Sequence, residues 1–293
     1  MAKLTKNFKH IVIVSGKGGT GKTTLTAALA VLSQNTVVAD CDVDAANLDI
    51  LLKPTIEKTE PYIGGKKAEI DSIRCTECSL CEEYCRFDAI HNFSVDPIAC
   101  EGCGFCVRIC PEEAIGFREA ISGSYFTGAF NSSPFFSAKL HPGEGNSGKL
   151  VSEVKKQADN IMQTANWEWY FGDGPPGIGC PVNASITGAD LVLVVTEPTV
   201  SGLHDLERVV QLTKRFQILT AVVINKFDLN SEMTIKIESF ALRNGLPLMG
   251  RIPFDETVVW SLMKEKNIID FPDSPAAKAI LGIWQSVQSI FKL

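Results

Sequence analysis

Gly16-Lys17-Gly18-Gly19-Thr20-Gly21-Lys22-Thr23 is the stretch on which the fold of this chain turns. It fits G-x4-G-K-S/T, a loop pattern built to hold phosphate. Glycines let backbone N–H groups close on phosphate oxygens, Lys22 brings charge to the β- and γ-phosphates, and the Thr23 hydroxyl is a Mg2+ ligand. Just before the loop, His10 to Val14 is a short β-branched run that reads as a strand. Just after it, Leu25, Leu29 and Leu32 recur at helical spacing, which predicts a helix from Lys22 to about Leu32. A helix N-terminus favours anions. Thr36 to Asp40 reads as the next buried strand, so the order is a βαβ unit and the sheet is parallel. A glycine-rich turn with an incidental Lys-Thr would not need that strand and helix at its ends.

Further along, Pro54, Pro61, Gly64 and Gly65 break the pattern. A cysteine-rich segment follows from about Ile70 to Phe117, then a hairpin-like stretch, Ala120 to Leu140, with turn signals at Ser122-Gly123 and Asn131 to Pro134. The α/β pattern then resumes. Trp167 to Phe171, Leu191 to Thr196, Leu219 to Asn225 and Leu248 to Ile252 read as strands, with helices over about 202–216, 232–244 and 274–291. The expected fold class is therefore α/β: a mostly parallel sheet flanked by helices, formed by 1–66 and 119–293 and interrupted by a small α+β module over 67–118.

Composition narrows the function. The chain has 293 residues, 45% of them hydrophobic, as in an ordinary globular protein. The net charge of -6, without a run of one sign, leaves no footprint for nucleic acid. The basic start, Met1 to His10, is followed by too short an apolar stretch for a signal peptide, and no stretch is long enough for a membrane span. A cytoplasmic location is expected. Ten cysteines are many for that compartment, and eight of them are clustered from Cys75 to Cys110, which points to metal rather than disulfides.

Those eight form two copies of C-x2-C-x2-C-x3-C, Cys75 to Cys85 and Cys100 to Cys110, each followed by an Ala-Ile pair. Soft thiolates select iron–sulfur clusters or zinc, and zinc sites usually use pairs rather than triplets. The double run resembles bacterial two-cluster ferredoxins. The resemblance implies one 4Fe-4S cluster on Cys75, Cys78, Cys81 and Cys110, and a second on Cys100, Cys103, Cys106 and Cys85. Pro111 follows the second run as in that family, but Arg86 follows the first, where its charge is expected to raise the potential of the second cluster.

Lys17 is not required by the general phosphate loop. With it, the run to Thr24 resembles the deviant Walker A motif of the MinD, ParA, Mrp and nitrogenase iron protein superfamily of P-loop ATPases. The resemblance implies that Lys17 contacts the nucleotide of a facing subunit, so that ATP binding makes a homodimer. It implies ATP binding by Gly16, Gly18, Gly19, Thr20, Gly21, Lys22, Thr23, Thr24 and, at the base, Asn225. It gives Lys17, Lys22, Asp42 and Asp173 the catalytic roles, Asp42 orienting water and Asp173 with Thr23 holding Mg2+. Asp40 and Asp44 are less firmly placed. Lys226 to Asp228 also resembles the guanine-reading N-K-x-D of GTPases, so ATP rests on the family. The order of phosphate loop, switch I (Asp40 to Asp49), ferredoxin insert and switch II (Asp173 to Gly177) resembles a prokaryotic MinD-like branch, in which Gly143 to Leu150 couples the insert to the ATPase.

Two details complete the reading. Ile280, Trp284, Val287 and Phe291 make a stripe on the last helix, but Lys278 and Lys292 are too few basic residues for an interfacial helix, so core packing is expected. Cys180 resembles the switch II cysteine of the nitrogenase iron protein. It is expected near a dimer interface, affecting metal hand-off without holding a stable bridging cluster. The resemblance thus implies a slow, partner-stimulated ATPase whose dimer is coupled to two clusters. It would serve electron transfer to, or maturation of, an unidentified metalloprotein; the alternative is a MinD/ParA-like spatial-positioning ATPase with structural clusters.

Overall fold

The computed structural model describes residues 8–145 and 147–292. Its elements begin with β1 (Lys9–Ser15), α1 (Lys22–Leu32), β2 (Thr36–Asp40), α2 (Leu48–Leu52) and β3 (Thr55–Ile70). Next come α3 (Leu80–Glu83), β4 (Ile90–His91), β5 (Ser94–Val95), α4 (Phe105–Ile109), β6 (Ile115–Phe130) and β7 (Ser133–Leu140). The rest is α5 (Ser147–Thr164), β8 (Trp169–Pro176), α6 (Cys180–Ile186), β9 (Leu191–Thr196), α7 (Val200–Arg215) and β10 (Leu219–Asn225), then α8 (Ser231–Arg243), β11 (Leu248–Ile252), α9 (Glu256–Met263) and α10 (Pro275–Ile290). The chain divides into two compact units. The first runs up to Thr59 and takes up again over Tyr125–Lys139 and from Ser147; the second holds Glu60–Ser124 and the short segment starting at Leu140.

The first unit is an α/β body. Its sheet runs β11-β10-β9-β1-β8-β2-β7, with the adjoining parts of β6 and β3 at the edge. The pairs from β11 to β7 are parallel. Ile11, Val12, Ile13 and Val14 of β1 are fully buried, as are Leu191 to Val194 of β9. Such continuous apolar runs suit a parallel sheet covered on both faces. On α10, Ala276, Ile280, Ile283, Trp284 and Val287 are buried in this core, and Trp284 meets Trp169 edge-on with ring centroids 4.9 Å apart. The apolar stripe of the last helix thus packs inward. No described helix is long and apolar enough to cross a membrane.

Three elements differ from the sequence reading. Residues 55–70 form one long strand despite Pro61, because β3 is the outermost strand and a missing N–H there costs no central ladder bond. Within Gly143 to Leu150 an 18-residue helix starts at Ser147, which the sequence reading did not mark. Finally, β8 extends to Pro176, so Asp173 lies inside the strand rather than beyond its end. The expected turn between β6 and β7 is present: Asn131 and Ser132 have φ of 45° and 66°, the left-handed pair of a tight hairpin.

The second unit is a small α+β body with internal two-fold likeness. Asp71 N–H donates to the Ala114 carbonyl at 2.7 Å, and Asp96 N–H to that of Ala89 at 2.8 Å. Asp71 accepts from Ile73 N–H and Asp96 from Ile98 N–H in the same way. Left-handed residues pair off too: Glu77 with Gly102, Ser79 with Gly104, Asp88 with Glu113. The sequence repeat is therefore a repeat of backbone conformation. Gly102 is confined by its neighbour as well: a Cβ there would stand 1.9 Å from the Lys66 carbonyl oxygen.

Asp255 ties α9 to α10. It accepts from Thr257 N–H at the start of α9, and from the Ser274 hydroxyl and Ala276 N–H at the start of α10. Burial pushes its carboxyl up, but these hydrogen bonds outweigh it and hold the pKa at about 2. A depressed carboxyl stabilises the fold above its unfolded pKa, and that contribution is lost as pH falls through the folded value. Asp255→Ala should cost about 1–2 kcal/mol at pH 7 by urea denaturation. The gap between wild type and variant should shrink as pH drops from about 4 towards 2.

Candidate functional site

The phosphate loop joins β1 to α1. Gly19 and Gly21 have φ of 77° and 91°, which a side chain would strain. A Cβ on Gly21 would also stand 2.6 Å from the Asn225 side-chain amide, and one on Gly16 would collide with Asp205 at 2.1 Å. The loop is thus fixed from below by α7 and from the side by Asn225. Asn225 donates its amide to the Thr20 carbonyl at 2.8 Å and accepts from Lys226 N–H. Here Asn225 braces the loop, a role its position in the sequence did not reveal.

A cavity of about 490 Å3 opens beside the loop, a size that suits a small ligand. Gly18, Gly19, Gly21, Lys22, Thr23, Thr24, Asp42 and Asp44 line it, together with Pro175 and Pro176 after β8. The Lys22 side chain is buried, its ammonium 3.9 Å from Asp42. Thr23 donates to Asp173 at 2.6 Å, and Thr26 to the other oxygen of Asp173 at 3.1 Å. The donor set of Lys22 ammonium, Thr23 hydroxyl and Asp173 carboxylate fits a magnesium-bound phosphate chain.

Buried carboxylates explain the charge balance. Asp40 and Asp173 face each other across β2 and β8. Burial, then the charge of Asp173, pushes Asp40 well above the usual range. Asp40 accepts from Asp42, Asn47 and Leu48 N–H groups, so it shapes the turn and the start of α2. Asp42 is also raised by burial, and Lys22 opposes the rise. Burial lifts Asp173 to about 6, against the pull of Lys22. Lys17 does not enter this group. Its ammonium is 3.2 Å from Glu197, which also binds Lys226 at 2.7 Å. Asp228 accepts from Phe254 N–H at 2.7 Å, so one oxygen of the N-K-x-D aspartate is already engaged.

The cysteines of the second unit fall into two groups. Cys75, Cys78, Cys81 and Cys110 line one cavity. Cys85, Cys100, Cys103 and Cys106 line another, which Arg86 also borders. Backbone N–H groups point at three sulfurs: Ala68 at Cys100, Ala89 at Cys85 and Ala114 at Cys110, over 3.3–3.5 Å. Burial raises the thiols of Cys81 and Cys106, and neighbouring sulfurs add to it. Among the described residues, no three His, Cys, Asp or Glu side chains stand close enough to hold one metal ion. Of the remaining cysteines, Cys41 is buried against Tyr170, and burial pushes its thiol up to about 12. Cys180 is exposed at the first residue of α6, and a Cβ on Gly148 would stand 3.1 Å from its Cβ. Asn146, in the Gly143 to Leu150 stretch, lies outside the described residues, as do Met1 to Asn7.

A family model for the CobQ/CobB/MinD/ParA nucleotide-binding domain matches residues 11–268. An uncharacterised protein of Methanocaldococcus jannaschii is 32% identical over 281 residues, covering 95% of this chain and 96% of that one. The septum site-determining protein MinD of Synechocystis is 25% identical, covering 88% of this chain and 81% of its own length. Among solved structures, MinD of Pyrococcus horikoshii complexed with Mg-ADP superposes with a TM-score of 0.59 at 18% identity, over 97% of both chains. That likeness establishes the α/β P-loop ATPase fold.

Asp173 supplies a test of the site's electrostatics. Its raised pKa means that the folded chain holds the proton more tightly than the unfolded one. Stability therefore falls as pH rises from about 4 through about 6. Asp173→Asn, free of nucleotide and Mg2+, should melt higher than wild type at pH 7.5, by about 2–4 °C. The gain should disappear near pH 4 in calorimetry with a chelator present.

Proposed function

The chain belongs to the CobQ/CobB/MinD/ParA nucleotide-binding family, and on that premise we propose that it works as an ATP-driven switch of the MinD/ParA kind. The gathering of Lys22, Thr23, Asp42 and Asp173 on one cavity carries this reading. ATP is held by the loop Gly16 to Thr24, with Asn225 keeping the loop in shape. Lys22 neutralises the β- and γ-phosphates. Thr23 and Asp173 hold Mg2+, which supplies further countercharge to the phosphates. Asp42 orients the water that attacks the γ-phosphate. Two copies close on each other when ATP is bound, with Lys17 reaching the nucleotide of the facing copy, and hydrolysis lets them part. In a MinD-like positioning role, the dimeric state decides where the chain and its cargo sit. The MinD relatives favour that role.

A second reading adds redox or metallocofactor work, and the division of the eight cysteines favours it. The two cavities take up the four-plus-four sets expected of a two-cluster ferredoxin. Cysteines grouped around a multi-iron cluster stand farther apart than ligands of a single ion, so the absence of a single-ion site among the described residues does not count against it. N–H groups aimed at sulfur favour thiolates that carry negative charge to a cluster. In this reading Cys75, Cys78, Cys81 and Cys110 hold one 4Fe-4S cluster, and Cys85, Cys100, Cys103 and Cys106 the other. Their partner would be a redox or metallocofactor protein in the cytoplasm. Exposed Cys180 would lie near the dimer interface and take part in hand-off.

Lys22→Ala should abolish ATP binding in equilibrium dialysis. Lys17→Ala should bind ATP nearly as wild type but lose hydrolysis and ATP-dependent dimerisation. Normal dimerisation of Lys17→Ala would remove the deviant-motif reading. Protein prepared without oxygen should carry about eight irons and eight sulfides per chain. A chain that reconstitutes none of them leaves the positioning role alone. Cluster spectra that change on adding ATP favour the second.

A further inference from the structure

The second unit repeats its backbone but not its cavities. Cys85, Cys100, Cys103 and Cys106 open into a cavity of about 700 Å3, whereas the one lined by Cys75, Cys78, Cys81 and Cys110 is far smaller. The backbones match, so side chains at equivalent places of the repeat make the difference. Arg86 and Phe87 stand where the other half has Pro111 and Glu112. Arg86 and Phe87 border the large cavity, and Glu112 borders the small one. Tyr84 and Phe105 complete the mouth of the large cavity, with ring centroids 6.4 Å apart. Tyr84, Phe87 and Phe105 are 54%, 43% and 48% exposed, so this mouth opens to solvent.

A four-iron cluster on four thiolates gains one negative charge when it takes an electron, so whatever stabilises negative charge makes it easier to reduce. Water is the first such influence, and the large cavity keeps room for it beside a cluster. Backbone donors are the second. Among the described residues, Ala68 and Ala89 N–H groups donate to Cys100 and Cys85 of the second set, while the first set has Ala114 N–H on Cys110. Fixed charge is the third, and it does not separate the sets. Glu83 and Glu101 border the large cavity together with Arg86, against Glu112 at the small one. Exposed charges are also screened by water and salt. Water and backbone donors therefore decide, and both favour the second set.

We infer that Cys85, Cys100, Cys103 and Cys106 form the outward redox terminal of the second unit: their cluster is reduced before that of the first set, and it meets external electron carriers at the mouth made by Tyr84, Arg86, Phe87 and Phe105. This rests on the reading in which both sets hold 4Fe-4S clusters. The step moves one electron from an external one-electron donor, such as a reduced viologen, to the oxidised cluster of the second set. The donor is oxidised by one electron, no proton moves and no bond to the four cysteines breaks. Cys75, Cys78, Cys81 and Cys110 then hold the inner cluster, which only stronger donors reduce. Arg86 adds to the preference against the pull of Glu83 and Glu101, and Glu112 works against reduction of the inner cluster.

The test uses the whole chain, loaded with iron and sulfide without oxygen, in a dye-mediated redox titration followed by electron paramagnetic resonance. Wild type should carry about eight irons and show two midpoints, one for each cluster. Arg86→Gln should lower the upper midpoint alone, and Glu112→Gln should raise the lower midpoint alone. Arg86→Lys, which keeps the charge, should leave both in place. Chromium oxalate, a relaxing agent confined to water, should act more strongly on the signal that appears first. A fall of the lower midpoint in Arg86→Gln, or a rise of the upper one in Glu112→Gln, overturns the proposal, because the order of the sets is then reversed. A single shared midpoint overturns it too, as does equal relaxation of both signals. If Arg86→Gln loads poorly, Glu112→Gln and the relaxation measurement decide. A wild-type chain that takes up no iron removes the cluster reading and this proposal with it. Eight irons with the order reversed or absent remove the proposal alone.

Discussion

The hydrogen bond from the Thr23 hydroxyl to the Asp173 carboxylate, 2.6 Å long, is the link on which the nucleotide site depends. Thr23 opens α1 and Asp173 sits in the middle of β8, so the bond fixes the start of the helix against the sheet. Thr26 grips the second oxygen one turn later. That carboxylate is buried because β8 is flanked by β1 and β2, and its partner across the ladder is another carboxylate, Asp40. Two buried acids side by side are unfavourable unless cations or donors compensate. Lys22 lies near Asp42 and lowers Asp173, while backbone N–H groups satisfy Asp40. The strand order therefore creates a charge problem whose solution is a site for phosphate and a divalent cation.

Much of this was legible in the chain itself. The βαβ start could be read because Ile11 to Val14 and the leucines of α1 carry unmistakable periods on either side of a glycine loop. Asp42 and Asp173 could be singled out only through likeness to known ATPases, since a carboxylate after a strand has no period of its own. The helix α5 was missed, although Leu150, Val154, Ala158 and Met162 recur every fourth residue. Its glycine-rich start and its interleaved lysines hid the stripe. β3 was missed because proline and glycine signal a break everywhere except on an outer strand. The bracing role of Asn225 and the hold of Glu197 on Lys17 depend on strand neighbours far apart in sequence, and no local pattern encodes them.

The second unit shows the opposite relation between sequence and structure. Its repeat was plain from cysteine spacing, yet the repeat reaches deeper than the cysteines. Asp71 and Asp96 cap equivalent turns, and left-handed residues recur at matching places. The exchange of backbone bonds between Asp71 and Ala114, and between Asp96 and Ala89, locks each half onto the other. This crossed arrangement groups the fourth cysteine of each run with the first three of the other. Arg86 replaces the expected proline without disturbing it, since Cys85 still accepts from Ala89 N–H as Cys110 does from Ala114.

The route of the chain between its two units has a consequence for ancestry. The chain passes from one unit to the other within β3 and returns within β6, the two outermost strands of the large sheet, and enters the second unit once more, briefly, from Leu140. Central ladders of a parallel sheet cannot be interrupted without orphaning backbone groups on both sides. Outer strands can lengthen into a new body while the inner ladders stay intact. A lineage could thus gain or shed the cysteine-bearing body by lengthening or trimming one edge hairpin, leaving the phosphate loop and its carboxylates unaltered.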